Sequence, residues 1–290
     1  MINYLKIIKR YSLYFVFKFK TFLTSKKKFF KYQNDLDIFI NNLNNKIHFA
    51  FSRFSDGEIF MLKNKKISIK ENICMVDDKV FGRTNYTKEE LKEFDPSIHG
   101  FYLNELIKCI NHEQDNYFKG IACTCCNGKD DVKFINKFIK NNKNITFSNL
   151  IFNGNYEKFY KFLSNFLIDK NVIFIMSKYA TPSNLKFKCK KIFFVGENCM
   201  VNDFELIQIL IDYVKNNNIK NHYFLFSAGS LSNFLIYYLF SLFKDNTYLD
   251  VGSFFNPDLK MQGWKVSRGY LQEYWLNKKP KFFLSRKCYW

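Results

Sequence analysis

The stretch Ile47-His-Phe-Ala-Phe-Ser-Arg-Phe54 is an apolar run of strand length, and the residues directly after it read Ser55-Asp56-Gly57-Glu58. Short apolar runs of this kind recur along the chain. They alternate with longer segments whose apolar residues repeat about every 3.6 positions, as on one face of a helix. This alternation predicts an α/β, Rossmann-like domain with a mainly parallel sheet and helices on both faces.

The predicted elements fill the chain from residue 47 onward. Strands are predicted at residues 47–54, 119–124, 145–152, 172–176, 191–195, 222–227 and 248–251, and helices at 131–141, 156–167, 203–216 and 231–243. No repeat and no proline-rich linker divides them. The one predicted boundary separates a basic amphipathic helix at residues 1–33 from a domain at 34–290. The aromatic and basic segment 261–290 is either a cap over the site or a packed tail.

Composition excludes some classes of protein and leaves others open. The 290 residues include 47% hydrophobic residues and 36 Phe, which excludes disordered and fibrous chains. A formal charge of +19 indicates an anionic partner, and nucleic acid, acidic lipid or a sugar diphosphate would each suit. Eight cysteines without a dense framework indicate reduced, buried thiols in the cytoplasm, although Cys123-Thr-Cys125-Cys126 leaves a zinc site open.

The first 31 residues contain nine Lys or Arg and no acidic residue. Their uncharged runs are shorter than the roughly 18 residues that span a bilayer. The segment suits the surface of an anionic membrane, where its apolar side chains enter the headgroup region and its lysines meet lipid phosphate. A core helix with solvated lysines is the alternative. We therefore expect a cytoplasmic protein that is peripheral at the inner face of the membrane.

Asp56 and Glu58 follow the first predicted strand at its carboxyl end, where α/β sheets bind ligands. Two carboxylates separated by one small residue can bind a divalent cation such as Mn²⁺ or Mg²⁺. Gly57 would allow a tight turn and the close approach of a diphosphate, and Arg53 would pair with that diphosphate or with the acids. The alternative is an acidic pair that only favours the helix dipole.

A second small-residue turn, Ser227-Ala-Gly-Ser230, stands between a predicted strand and a predicted helix. Backbone amides at such a turn can approach a phosphate, although Ser230 could simply cap the helix. Asp250 ends the last predicted strand and is the candidate catalytic acid or base, unless it only caps the turn at Gly252. Asp258 lies beyond that strand.

The segment Arg53-Phe-Ser-Asp-Gly-Glu58 resembles the Arg-Phe-Gly-Asp-Gly-Glu signature of the GT-D-fold glycosyltransferases. The late segments Phe224–Ser230 and Tyr248–Ser253 look like that family's strand, turn, helix and Asp-Ile-Gly segment. The chain departs from the family's pattern at two places. Ser55 stands where the family usually has glycine, and the late turn reads Ser-Ala-Gly-Ser where the Gly-Pro-Thr-Ala type is commoner. The early segment and the two late segments bound the part of the chain that the resemblance covers, residues 47–258.

The resemblance implies a metal-dependent transfer of sugar from a nucleotide-sugar donor to a surface glycan or glycoprotein. It implies metal binding and catalysis by Asp56 and Glu58. The residues themselves make Asp250 a further catalytic candidate, and the candidates for substrate binding are Arg53, Ser55, Gly57, Gly229 and Ser230. Two other functions stay open. One is a non-enzymatic nucleic-acid binder, which is disfavoured because the aromatics fall in apolar runs, so no nucleic acid is expected. The other is a different metal-dependent phosphate enzyme.

Overall fold

The computed structural model describes residues 35–70, 73–83, 91–140 and 143–278. The predicted N-terminal segment 1–33 and the end of the C-terminal segment, residues 279–290, lie outside this part of the chain. Within it, no helix combines the length and the apolar character needed to cross a bilayer.

The described residues contain eleven strands. They are β1 Ala50–Arg53, β2 Ile67–Lys70, β3 Ile73–Val76, β4 Lys79–Arg83, β5 Lys92–Phe94, β6 Tyr117–Ile121, β7 Ile145–Phe147, β8 Val172–Ser177, β9 Cys189–Val195, β10 Tyr223–Phe226 and β11 Thr247–Asp250. The helices are α1 Asp35–Asn44, α2 Asp56–Leu62, α3 Gly100–Asn111, α4 Thr124–Ile135, α5 Tyr156–Phe166, α6 Cys199–Asn202, α7 Leu206–Asn216, α8 Leu231–Leu242, α9 Trp264–Ser267 and α10 Gly269–Leu276. Short 3₁₀ turns occur at Asn153–Asn155 and Pro182–Asn184.

Seven of these strands form one parallel sheet in the order β7-β6-β1-β11-β10-β8-β9. Each of the seven predicted strands corresponds to one of them, so the predicted parallel sheet is confirmed. Strand β1 lies in the interior, with Ala50 opposite Tyr117 of β6 on one side and Tyr248 of β11 on the other. Because all seven strands run the same way, their carboxyl ends share one edge.

Helices cover both faces of the sheet, as predicted. The alternation of side chains sends Ala50 into one core and the next residue, Phe51, into the other. Helices α2, α3, α4, α7 and α8 contribute to the first core. Helices α1 and α5 and the described C-terminal helices contribute to the second. Both faces are therefore buried, which explains the near-continuous apolar runs of the central strands.

A second sheet was not predicted. Strands β2 to β5 form an antiparallel sheet in the order β4-β3-β2-β5, inserted between α2 and α3. One face packs on the first core through Ile67, Ile69 and Phe94. The predicted helix 131–141 was also misplaced, because α4 begins at Thr124, breaks at Gly128 (φ 81°) and ends at Ile135. The other three predicted helices are confirmed with small shifts at their ends.

Candidate active site

Arg53 is the last residue of β1, and three contacts fix its guanidinium at the carboxyl edge of the sheet. Its Nη1 lies 3.5 Å from Oδ1 of Asp250, which ends the neighbouring strand β11. Its Nε donates to the carbonyl oxygen of Ser148 at 2.7 Å. Its Cζ stands 4.3 Å from the centre of the Phe152 ring. Only 16% of the Arg53 side chain is exposed, so a ligand would meet a pre-oriented cation.

Gly252 makes room for that guanidinium. It has a φ of +43°, and a Cβ at this position would overlap Nη1 of Arg53. Its backbone N–H donates to Oδ1 of Asp250 at 3.1 Å. Asp250 therefore both caps this turn and pairs with Arg53, so the turn-capping role that the sequence left open is present.

Asp250 is a buried carboxyl with a perturbed pKa. Burial raises its pKa to about 6, the positive charge of Arg53 lowers it, and the negative charge of Glu58 raises it again. Glu58 at the start of α2 therefore lies within electrostatic range of Asp250 at the end of β11. A carboxyl with such a pKa can exchange a proton near neutral pH.

Asp56 and Glu58 lie in the first turn of α2, which begins two residues after β1 ends. Asp56 is exposed, whereas Glu58 is buried. Oε2 of Glu58 accepts the backbone N–H of Ser55 at 2.8 Å. Oε1 accepts the hydroxyl of Ser230 at 2.5 Å. Asp56 thus offers an open carboxylate, while Glu58 is held in one orientation.

The hydrogen bond from Ser230 to Glu58 joins the turn at residues 227–230 to the segment at residues 53–58, although the two residues are 172 positions apart in the sequence. Its side chain makes no capping bond to α8, so it is not a plain helix cap. The turn before it depends on Gly229, whose φ of +52° suits glycine. Nδ2 of Asn233 in α8 also donates to the carbonyl oxygen of Arg53 at 2.8 Å. The start of α8 is therefore tied directly to the end of β1.

A cation held by Asp56 and Glu58 would need further ligands from a bound molecule or from water. No group of three or more His, Cys, Asp or Glu in the described residues could hold a metal ion by itself. Mg²⁺-type sites often use one or two carboxylates together with substrate phosphates and water. The space beside Gly57 is open, with no atom within 4 Å of the point where a Cβ would stand. Gly57 lies in the first turn of α2 without a positive φ, so its backbone does not require glycine's left-handed conformation, and room for close approach is present.

Several contributors to the site carry no motif in the sequence. The carbonyl of Ser148 and the ring of Phe152 hold Arg53. Tyr270 of α10 packs on Phe152 at 5.7 Å between ring centres, and its hydroxyl lies 3.1 Å from that of Ser253. The described part of the C-terminal segment therefore covers the residues that support Arg53. Lys92 of β5 lies beside Gly229.

Asp258 lies apart from this constellation. Asp258 Oδ1 accepts the hydroxyl of Tyr160 at 2.7 Å, and burial raises its pKa to about 6. No contact among the described residues joins it to Arg53 or Glu58. Among the described cysteines, Cys74, Cys109 and Cys123 are buried reduced thiols, as predicted, whereas the reduced thiols Cys189 and Cys199 are only partly buried.

No protein-family model matches the sequence, and no curated protein matches it. Among solved structures, the chain is similar to a selenomethionine-substituted domain of unknown function 1792 (DUF1792), with a TM-score of 0.52 and 11% identity over 83% of this chain and 80% of that one. A DUF1792 structure described as having a distinct glycosyltransferase fold is similar with a TM-score of 0.50 and 11% identity, over 83% of this chain and 80% of that one. A glycosyltransferase (DUF1792) from Streptococcus sanguinis is similar with a TM-score of 0.48 and 13% identity, over 74% of this chain and 78% of that one. The first two similarities confirm the predicted resemblance at the level of the fold.

Proposed function

We propose that this chain is a glycosyltransferase that uses a nucleotide-sugar donor and a divalent cation, either Mn²⁺ or Mg²⁺. The observation that carries the proposal is the contact between Glu58 and Ser230. It brings the Asp-x-Glu segment and the small-residue turn together at the carboxyl edge of a parallel sheet, where such sheets bind ligands. The DUF1792 fold supports glycosyl transfer over other phosphate chemistry.

Asp56 and Glu58 would hold the cation, Asp56 through its open carboxylate and Glu58 through the lone pairs that Ser55 and Ser230 leave unused. A bound cation would stabilise the negative charge that develops on the leaving nucleoside diphosphate. Arg53 supplies a fixed positive charge at the same edge. Gly57 leaves space for the diphosphate, and the turn at Gly229 presents backbone amides at the start of α8.

Asp250 orients Arg53 and is the candidate base for the acceptor hydroxyl. Its pKa of about 6 lies close to the value that suits proton transfer at neutral pH. The proton would be taken up on a carboxylate that Arg53 and the Gly252 N–H hold in place. The role of Asp250 in the chemical step stays a prediction.

The proposed acceptor is a surface glycan or glycoprotein assembled beside an anionic membrane, with the protein peripheral at its cytoplasmic face. The nine basic residues among the first 31 support this placement. Helix α1 leads into the amino end of β1, so its own start at Asp35 lies toward the carboxyl edge. Asp37 in that first turn pairs with Lys158 of α5 at 2.6 Å. The chain therefore enters the domain on the side where the site opens.

Calorimetry with a panel of nucleoside diphosphates, with and without Mn²⁺, tests the proposal on the full chain. Wild-type protein should bind at least one of them in a metal-dependent manner. Asp56→Asn keeps the shape of an exposed side chain but removes a negative ligand. We expect it to weaken metal-dependent binding at least about tenfold, and to lower turnover of the matching nucleotide sugar about a hundredfold or more.

Asp169→Asn is the matched control, because Asp169 is an exposed carboxylate in the turn before β8, at the opposite edge of the sheet. It should bind and turn over like the wild type. If all three proteins bind nucleoside diphosphates equally, with or without metal, the Asp-x-Glu segment is a structural helix start and the proposed site is misplaced.

A further inference from the structure

Lys92 is an exposed cation of β5 that reaches the turn before α8. Its Nζ lies 3.5 Å, and its Cε 3.6 Å, from the point where a Cβ on Gly229 would stand. A side chain at position 229 would therefore touch the amine. Strand β5 belongs to the small antiparallel sheet, so this sheet contributes a charged group to the edge where Glu58 meets Ser230.

Two hydrogen bonds to Asn198, one on either side of Lys92, fix the position of Lys92. The backbone N–H of Asn198 donates to the carbonyl oxygen of Leu91 at 3.0 Å. The side-chain oxygen of Asn198 accepts the backbone N–H of Glu93 at 3.0 Å. Asn198 adopts a left-handed conformation with φ 49°, which asparagine tolerates better than most residues.

The loop that holds β5 is itself bound to the small-residue turn. The Sγ of Cys199, the residue after Asn198, donates to the carbonyl oxygen of Ala228 at 3.1 Å. Leu91, Glu93, Asn198, Cys199 and Ala228 thus form a continuous connection from β5 to the turn. Lys92 is held above the turn by this connection and does not merely extend from a free strand.

The charge of Lys92 has no protein partner in the part of the chain that the structure describes. Three other lysines of the small sheet region, Lys65, Lys66 and Lys70, each pair with a carboxylate. Lys92 instead faces the N-terminus of the 12-residue helix α8, which already carries partial positive charge. The Lys92 ammonium and the N-terminus of α8 repel each other, and an anion between them would remove this repulsion.

The acids of the proposed site lie close by. Asp56 and Lys92 both act electrostatically on the thiol of Cys74 in β3. Burial raises the pKa of this thiol, the charge of Asp56 raises it further and the charge of Lys92 lowers it. Both charges therefore lie within electrostatic range of this one thiol.

We propose that Lys92 binds the diphosphate of the donor, on the side away from the cation held by Asp56 and Glu58. This assignment rests on the proposed function. A compact ammonium group beside the amides of the α8 turn contributes a charge-assisted contact to one phosphate. The cation held by the two carboxylates would bind the other phosphate of the same diphosphate. Lys92 accordingly selects nucleoside diphosphates over monophosphates.

The test compares Lys92→Met, Lys92→Arg and a control, Lys79→Met, by calorimetry on the full chain. Lys79 is exposed on β4, at the opposite edge of the same small sheet. The probes are the nucleoside diphosphate that the wild type binds, its monophosphate and inorganic pyrophosphate. Lys92→Met should bind the diphosphate and pyrophosphate about tenfold to a hundredfold more weakly, with a smaller change for the monophosphate. Lys92→Arg should recover part of the loss, and Lys79→Met should match the wild type.

Circular dichroism and melting temperature establish that each variant is folded, as expected for substitutions at exposed positions. Equal diphosphate affinity for wild type and Lys92→Met would overturn the role of Lys92 and leave the glycosyltransferase proposal standing. Pyrophosphate binding that depends on Lys92, without binding of any nucleoside diphosphate, would keep the anion site and remove the nucleotide-sugar function. No binding of either probe by the wild type would overturn both.

Discussion

Replacing Glu58 with glutamine separates the structural role of this residue from its proposed role in metal binding. Both oxygens of the Glu58 carboxylate accept hydrogen bonds, from the Ser55 N–H and the Ser230 hydroxyl. A glutamine can keep only one of these unchanged. Its oxygen would stay with the Ser55 N–H, and its amide would have to donate to Ser230, whose hydroxyl can reverse. The variant should therefore fold.

The cost follows from the loss of charge at two buried hydrogen bonds. A hydrogen bond to a charged group contributes about 1.5–3 kcal/mol, and a neutral one about 0.5–1.5 kcal/mol. Two such changes sum to about 2–3 kcal/mol. Glutamine also removes the cost of burying a carboxylate that is only 7% exposed and that repels Asp250. We expect a net loss of about 1–2 kcal/mol, which lowers the melting temperature by roughly 2–6 °C.

Asp56→Asn is the companion variant, because Asp56 is exposed and makes no hydrogen bond or ion pair in the described part of the chain. Its effect on stability should stay within about 0.5 kcal/mol. Thermal shift measurements with Mn²⁺ and the best nucleoside diphosphate then report binding. A ligand at a hundred times its Kd stabilises the wild type by about 2.7 kcal/mol. That stabilisation should fall to about 1.4 kcal/mol or less in both variants, because a ligand that binds tenfold more weakly is then at only ten times its Kd.

Two results would refute this reasoning in different ways. A Glu58→Gln protein that melts like the wild type would show that the paired contacts to Ser55 and Ser230 contribute little to stability. A Glu58→Gln protein that loses stability but keeps the full ligand shift, while Asp56→Asn loses the shift, would make Glu58 only a structural link between α2 and α8. The cation would then depend on Asp56 and the ligand alone.

Three further outcomes are expected. Deleting residues 1–31 should weaken binding to anionic vesicles in a flotation assay and leave the melting temperature unchanged; equal binding by both forms would remove the membrane proposal. Gly252→Ala should displace the Arg53 guanidinium and weaken nucleoside diphosphate binding several-fold at a cost of about 1–2 kcal/mol, whereas unchanged affinity would show that Arg53 is not needed. Because burial raises the pKa of Asp258 to about 6, its stabilising contribution is complete below the unfolded pKa and is lost as pH rises through 6. Asp258→Asn should therefore be more stable than wild type at pH 8, by up to about 3 kcal/mol, but not at pH 4, while equal differences at both values would contradict the shift.

The parallel sheet could be predicted because its inner strands are buried on both faces. Strand β8, for example, is buried at five of its six positions, so it appears in the sequence as the uninterrupted run Val-Ile-Phe-Ile-Met. The small antiparallel sheet has strands of three to five residues and one buried face. A lysine begins or ends three of these strands, β2, β4 and β5. That sheet gains its stability from packing on α2 and α3, which local sequence does not show.

The acidic residues of the site could be predicted from the sequence, but the contacts that join them to distant residues could not. Ser55 and Glu58 stand three positions apart, the spacing of a capping box, and this signal could have identified the Glu58 contact to the Ser55 N–H. The second contact, to Ser230, joins residues 172 positions apart, and no local spacing predicts it. Lys92 was missed for a similar reason, since it lies in a short strand whose position depends on Asn198.

The second contact of Glu58 bears on whether this residue is more than a helix cap. A capping box needs one carboxylate oxygen and commonly leaves the other in water. Here the other oxygen is buried against Ser230, close enough to Asp250 to raise its pKa. Asp56, Glu58 and Asp250 together carry three negative charges against the one positive charge of Arg53, while Lys92 forms no ion pair in the described residues. A divalent cation at the acids and a diphosphate reaching toward Lys92 would balance both sides, and a purely structural cap would need neither.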